Sequence, residues 1–308
     1  MYASGMVAPI PAEDTSHEIA FVARLSCWRG RVDIAPLSGG LSNRNFRVAD
    51  AGGRYVVRLG EDVPEHGLVR RNEEISSRAA AASGISPDLV HAEPGALVFR
   101  FVEGRTLKPE DLRVDAVLSR VLELVQRAHR AIPGHLAGGK PYFRVFQVLR
   151  WYASTLARGE SRWTGDLPRL MAAAEDLERA AGPGEDVFAH NDLLAANLID
   201  DGKRLWLIDW EYGGFNSPLF DLGNLASNNG LTLAQSEGLL AAYDGRAPDA
   251  RRKRAFAAFT AASLLREAMW SMVQEIHSRL KIDYPAYTEE NLARFDAAWT
   301  EFRENEAR

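Results

Sequence analysis

The chain has 308 residues, 46% of them hydrophobic and 26% charged, which is enough for two ordinary domains with a sizeable buried core and excludes disorder as its overall state. A formal net charge of −5 supplies no general attraction to phosphate backbones or anionic lipid, so neither nucleic acid nor a membrane surface is an expected partner. Cys27 stands alone, which excludes an intramolecular disulfide and a cysteine-based metal site; no export-type cationic start and no apolar run near the ~18 residues of a membrane span is present, and a cytoplasmic protein is expected.

In chain order, Thr15 with Glu18 reads as a capping box opening a helix toward Trp28. From about Val32 the pattern becomes strand-like, with Asn45-Phe46-Arg47-Val48 and Tyr55-Val56-Val57-Arg58-Leu59 joined through a hairpin turn at Asp50-Ala51-Gly52-Gly53. Arg70 to Ser83 is helical in composition and stops at Gly84, a suitable C′ residue, and Leu97 to Val102 reads as a buried strand. Glu103-Gly104 breaks the pattern as a hinge would. Beyond it the chain is mainly helical, with Pro109 suited to a first helical position and apolar residues at helical spacing through Leu122, Val125 and Ala128. Leu205-Trp206-Leu207-Ile208 interrupts the helices as a short strand ending at Asp209. The expected fold is α+β, a bilobal arrangement with an N-lobe of antiparallel sheet and helix over residues 1–102 and a mainly helical C-lobe over 103–308.

His190-Asn191-Asp192-Leu193-Leu194-Ala195-Ala196-Asn197 fits the kinase catalytic-loop pattern H-x-D-L-x-x-x-N. An aspartate at the third position orients or accepts the proton of an attacking hydroxyl, and the asparagine offers Mg²⁺ a neutral oxygen. Read alone, Asp192 and Asn197 also serve as helix caps; Asp209, twelve residues after Asn197 at a strand end, is what favours the metal-binding reading. Ser38, Gly39, Gly40, Leu41, Ser42, Asn43 and Asn45 form or flank a loop between the first strands whose amides can lie against ATP phosphates. No Gly-Lys-Ser/Thr follows, so the loop is not a Walker A motif. Arg58 takes the third-strand position where kinases hold a phosphate-binding cation, with Glu73 as natural partner and the adjacent Glu74 as the alternative.

With these residues assembled, the chain resembles the choline/ethanolamine kinase and aminoglycoside phosphotransferase superfamily from about Pro36 to Phe302, in the manner of bacterial choline kinase-like proteins. The specific segments are Leu37 to Asn43, Arg100-Phe101-Val102-Glu103-Gly104, His190 to Leu193, Leu207-Ile208-Asp209-Trp210-Glu211-Tyr212 and Phe220-Asp221-Leu222-Gly223-Asn224. The resemblance implies a protein-kinase-like fold holding ATP and Mg²⁺ between lobes, with Asp192 as base, Asn197 and Asp209 as metal ligands, and Asp221 as a supporting acid counted with the acceptor residues. It places Glu211 and Tyr212 in a segment facing metal and substrate, and Trp270, Tyr284 and Tyr287 where choline kinases carry substrate-facing aromatics.

Carboxylates and aromatic faces suit the ammonium of a small amino alcohol, choline or ethanolamine, as acceptor. Glu267 stands where eukaryotic choline kinases tend to have a tryptophan and Asn228 where many have an acid, so the departures fall in the expected ammonium pocket. Phosphorylation of an aminoglycoside or sugar-like hydroxyl is the alternative, and a nucleotide-binding module without turnover is a third reading, opposed by the intact Asp192, Asn197 and Asp209. Nothing in the pattern fixes an oligomeric state.

Overall fold

The computed structural model describes residues 15–37, 43–278 and 282–306. Alternation of apolar and polar residues puts Phe46 and Val48 on one face of β2 (Arg44–Asp50), and Tyr55 and Val57 on the same face of β3 (Gly53–Leu59). These strands join β1 (Asp33–Leu37), β4 (Leu89–Glu93) and β5 (Ala96–Arg100) in an antiparallel sheet of order β1-β2-β3-β5-β4. The hairpin turn is as expected: Asp50 pairs with Gly53, and the Asp50 carboxylate accepts from Gly52 N at 2.6 Å. Val22 of α1 (Ser16–Ala23) and Leu25 close the small core beneath this sheet.

The capping box is not formed. Thr15 makes no side-chain cap, and Glu18 instead pairs with Arg44 at 2.6 Å, so an ion pair to the sheet takes the carboxylate the cap would have used. The next helix, α2 (Arg70–Ala82), ends as predicted, with Gly84 left-handed at φ 67° just beyond its cap. Its Ala79 and Ala80 do not join the sheet core; they belong to the larger hydrophobic core built by the helices that follow.

After β5, the link at Glu103-Gly104 leads into β6 (Arg105–Thr106), the short α3 (Pro109–Leu112) with its proline at the first turn, and α4 (Asp115–Ala131). The helix expected to run on from Pro109 is therefore two. Then come α5 (Val145–Arg158), α6 (Leu167–Ala181), β7 (Val187–Ala189), β8 (Leu198–Asp200), β9 (Leu205–Leu207), β10 (Gly214–Asn216), α7 (Pro218–Asn229), α8 (Leu233–Asp244), α9 (Ala250–His277) and α10 (Tyr284–Glu306). Strands β6, β8 and β9 form one small antiparallel sheet and β7 with β10 another, both at the edge of the helical core. α9 is buried along most of its length between α5, α6, α7 and α10. Gly223 allows α7 to approach it, since a Cβ there would lie 2.8 Å from Thr260 N.

Candidate active site

The loop from His190 to Asn197 connects β7 to β8 and is held by the side chains of α7. Asp221 accepts from His190 N at 2.8 Å, Asn191 N at 2.7 Å and His129 Nε2 at 2.9 Å. Asn224 Oδ1 accepts from Leu193 N, and Asn229 accepts from Ala195 N at 3.0 Å while donating to Leu193 O at 3.0 Å. Asn191 is in the left-handed region at φ 67°, a conformation asparagine tolerates, and its side chain donates to Tyr212 O at 2.9 Å and accepts from Asn216 at 2.9 Å. Burial works to raise the Asp221 pKa, but the hydrogen bond and charge of His129 outweigh it and keep the carboxyl below its ordinary value. Grouping Asp221 with the acceptor residues is thereby corrected: its carboxylate is 1% exposed and spent on the loop, so it supports the site without touching an acceptor.

Asp192 leaves this loop toward α9, where its Oδ1 accepts from Arg266 Nη2 at 3.0 Å. Burial, opposed by Arg266 and reinforced by Glu267, Asp209 and Glu211, pushes Asp192 up to about 7. Asn197 donates from Nδ2 to Asp192 O at 2.9 Å, which leaves its amide oxygen as the potential ligand atom. Asp209, at φ 69°, follows β9 and accepts from Arg58 Nη1 at 2.5 Å through Oδ1. The same Arg58 nitrogen reaches Glu73 Oε1 at 2.7 Å, so Glu73 is the partner and Glu74 is not; Glu74 pairs with Arg71 and Arg78 at the surface. Burial favours a neutral Asp209, but Arg58 overrides it and lowers the pKa.

Arg70 extends the network, with Glu73 Oε2 at 2.6 Å, Glu211 Oε2 at 3.2 Å and Asn43 Oδ1 at 2.6 Å. Asn43 also donates to Glu211 at 2.8 Å, and Asn45 lies opposite Arg58 in the β2–β3 ladder. Ser38, Gly39, Gly40, Leu41 and Ser42 lie outside the described residues.

On the other side of Asp192, Arg266 Nη1 donates to Glu267 Oε2 at 2.9 Å, and Glu267 Oε1 accepts from Tyr287 OH at 2.7 Å. The guanidinium lies 4.9 Å from the centre of the Tyr212 ring. Burial would discharge Arg266, but Asp192 and Glu267 outweigh it and raise its pKa. Trp270, 5% exposed, packs against His66 at 5.6 Å, Tyr284 at 6.3 Å and Tyr287 at 6.4 Å between ring centres. Burial drives the His66 ring down to about 4, the Gln274 amide pulling the other way, so it is neutral at pH 7. His66, Asn72, Phe143, Trp151, Glu211 and Tyr212 help to line a cleft of about 240 Å³ beside this cluster.

The sequence profile of the phosphotransferase enzyme family matches residues 33–256, the span that carries Arg58, Glu73, Asp192, Asn197, Asp209 and Glu211. The chain belongs to this family. LicA of Haemophilus influenzae is 27% identical to this chain over 213 residues, covering 67% of this chain and 61% of that protein. The probable ethanolamine kinase of Arabidopsis thaliana is 29% identical over 208 residues, covering 62% of this chain and 54% of the relative. The chain thus spans less than two thirds of the length of these curated relatives. A crystal structure of a choline/ethanolamine kinase family protein from Mesorhizobium loti superposes with a TM-score of 0.73 at 27% identity, covering 92% of this chain and 94% of the other. The protein-kinase-like α+β fold is the expected one.

The structure brings Asp192, Asn197, Asp209, Arg58, Glu73, Glu211 and Tyr212 together, and places Trp270, Tyr284 and Tyr287 in one aromatic cluster. Sequence reading missed Arg70 and Arg266. The second had a signal: Arg266 follows Leu264-Leu265 within a largely apolar helix, and an arginine buried in such a helix needs a partner. The rings around Trp270 pack on one another, so Trp270→Ala is expected to lower the unfolding free energy by about 3–5 kcal/mol in denaturant titration. Unchanged stability with only the acceptor KM raised would give Trp270 a purely ligand-facing role.

Proposed function

We propose that the chain transfers the γ-phosphate of ATP, bound with Mg²⁺, to the hydroxyl of a small amino alcohol of the choline and ethanolamine type. The observation that carries this reading is the convergence of Asp192, Asn197 and Asp209 on a loop and strand end fixed by α7, with the Arg58–Glu73 pair alongside. Residues 1–102 would serve the nucleotide and 103–308 the chemistry and the acceptor. Among the described residues no group of three or more His, Cys, Asp or Glu side chains forms a standing metal site. Asp209 with the Asn197 oxygen suits Mg²⁺ instead, a cation commonly held by one or two carboxylates together with substrate phosphates and water. Bound there, the cation supplies charge neutralisation for the phosphates.

The protein's own residues do the rest. Arg266 holds Asp192 Oδ1, leaving Oδ2 to receive the acceptor hydroxyl and its proton. Arg58 fixes Asp209, and Glu73 fixes Arg58. No helix among the described residues is long and apolar enough to cross a membrane.

The test is ADP release by the purified protein with choline, ethanolamine, their methylated intermediates and several aminoglycosides. Turnover confined to aminoglycosides would replace the amino-alcohol reading, and binding of ATP without any turnover would favour a nucleotide-binding module. Asp209→Ala should lose most Mg²⁺-dependent ATP affinity in calorimetry, and Asn197→Ala should lose less and recover at higher Mg²⁺, because it removes an oxygen but no charge. An unchanged Mg²⁺ dependence in Asp209→Ala would remove both residues from that role.

A further inference from the structure

We propose that Arg266 is a specificity-determining residue, whose guanidinium fills the cation slot between Asp192, Glu267 and the face of Tyr212 and so turns the acceptor site away from quaternary ammonium. The inference rests on the amino-alcohol reading above and divides its candidates.

A trimethylammonium group has no N–H to donate; it is held by aromatic faces and by unspent negative charge. The features beside Asp192 that would hold it are engaged, as Arg266 and Glu267 show. Arg266 stands 4.9 Å over the Tyr212 ring. Glu267 gives one oxygen to Arg266 at 2.9 Å and the other to Tyr287 at 2.7 Å. The Trp270 ring faces His66 at an interplanar angle of 33°, while Tyr284 and Tyr287 meet it edge-on. Arg266 is 2% exposed and is also tied to the catalytic loop through Asn191 O at 3.2 Å, so it belongs to the packed wall.

The groups left over are directional ones. Among the described residues, no partner reaches the buried hydroxyls of Tyr152 and Tyr212, and the buried His66 ring, which engages Gln274 through one nitrogen, keeps the other without a partner. They adjoin one another: His66 lies edge-on to Tyr152 at 5.6 Å, and Tyr152 and Tyr212 each share the surroundings of Arg266, Glu211 and Asp192. Methyl groups against such atoms leave them unsatisfied, whereas a primary ammonium donates to hydroxyl oxygens and to the bare nitrogen of a neutral imidazole. Glu267, Asp209 and Glu211 around Asp192 offset the charge of Arg266 and allow a second, compact cation to enter.

The experiment is a rate series with 2-aminoethanol and its N-methyl, N,N-dimethyl and N,N,N-trimethyl derivatives, following ADP release. In the wild type kcat/KM should fall with each methyl, by at least about tenfold from the primary to the quaternary compound. Arg266→Met bares the Tyr212 face and releases Glu267, so the primary-to-quaternary ratio should shrink by about fivefold or more, even though overall turnover drops with the loss of the Asp192 contact. Should that variant not fold, Arg266→Lys retains a charge without the planar fork and should give an intermediate ratio. A wild type that favours the trimethyl compound, or folded variants that keep the wild-type ratio, overturns the assignment of Arg266 while leaving the amino-alcohol reading standing. Turnover of none of the series overturns that reading itself, together with the inference.

Discussion

Asp192→Asn should lower kcat by at least about a hundredfold while the affinity for ATP with Mg²⁺ changes little, because general-base or hydroxyl-orienting groups contribute about 10²–10⁴ in rate and the phosphates are held elsewhere. The substitution is a clean one: the asparagine oxygen can still accept from Arg266 Nη2, so the 3.0 Å contact and the fold should persist. A second signature follows from the environment of Asp192, which burial pushes up to about 7. The ionised carboxylate is the active form, and its fraction grows as pH rises through that value. kcat/KM for ATP, which reports the nucleotide-free enzyme, should therefore climb with one-proton slope from about pH 5.5 and level off near pH 8. Near-wild-type kcat in the variant, or a flat profile across that interval in the wild type, would remove Asp192 from the role.

The largest expected loss of stability lies at Asp221. In Asp221→Ala the amides of His190 and Asn191 and the Nε2 of His129 lose their acceptor inside the core. At about 1–3 kcal/mol for each unsatisfied buried donor, partly relieved by relaxation or water, a loss of about 3–5 kcal/mol is expected, out of a typical total of about 5–15. Asp221→Asn keeps the volume and one acceptor but aims an N–H₂ at donors, and should fall between. The sign with pH is fixed by the lowered pKa of Asp221 in the fold. Its stabilisation is fully present above the unfolded value of about 4 and is lost as pH falls from there through the folded value, so the alanine variant should show a shallower acid loss than the wild type. A chemical-denaturation difference below about 1 kcal/mol at pH 7 would show that other contacts hold the loop.

What could be read from the sequence was what is local. The eight residues from His190 to Asn197 and the strand end at Asp209 stand out by spacing alone, and the order of strand and helix was enough to pair Arg58 with one of two glutamates. Choosing Glu73 over Glu74 needed the helix's rotation about its axis, which buries one carboxylate at 1% exposure and turns the other toward Arg71 and Arg78. The Thr15–Glu18 cap failed for the opposite reason, a local rule beaten by a partner 26 positions away at Arg44. Asn224 and Asn229 were not recognised as holders of the loop, because nothing in α7 alone says which amides its polar face will meet. Arg266 lies in a helix buried on most sides, where periodicity cannot say which face fronts the site. Trp270, Tyr284 and Tyr287 do lie in one cluster, but the edge-on contacts of the two tyrosines with Trp270 and its tilted contact with His66 are properties of packing that spacing does not carry.

The seating of α2 has a consequence for how such an enzyme is controlled. Where a kinase is switched by swinging the helix that bears its ion-pair glutamate, the glutamate leaves its cation in the off state. Here Ala79 and Ala80 are embedded in the large core, and Ser76 donates to Gly213 O at 3.2 Å. The approach is so near that a Cβ on Gly213 would stand 2.9 Å from Ser76 Cβ. To pull Glu73 from Arg58 the helix would have to tear out of that core, exposing apolar surface and stranding a carboxylate. On the proposed reading the chain is thus wired without a throttle at this helix, and its output at that point would follow supply: how much acceptor, how much nucleotide and how many copies of the chain are at hand.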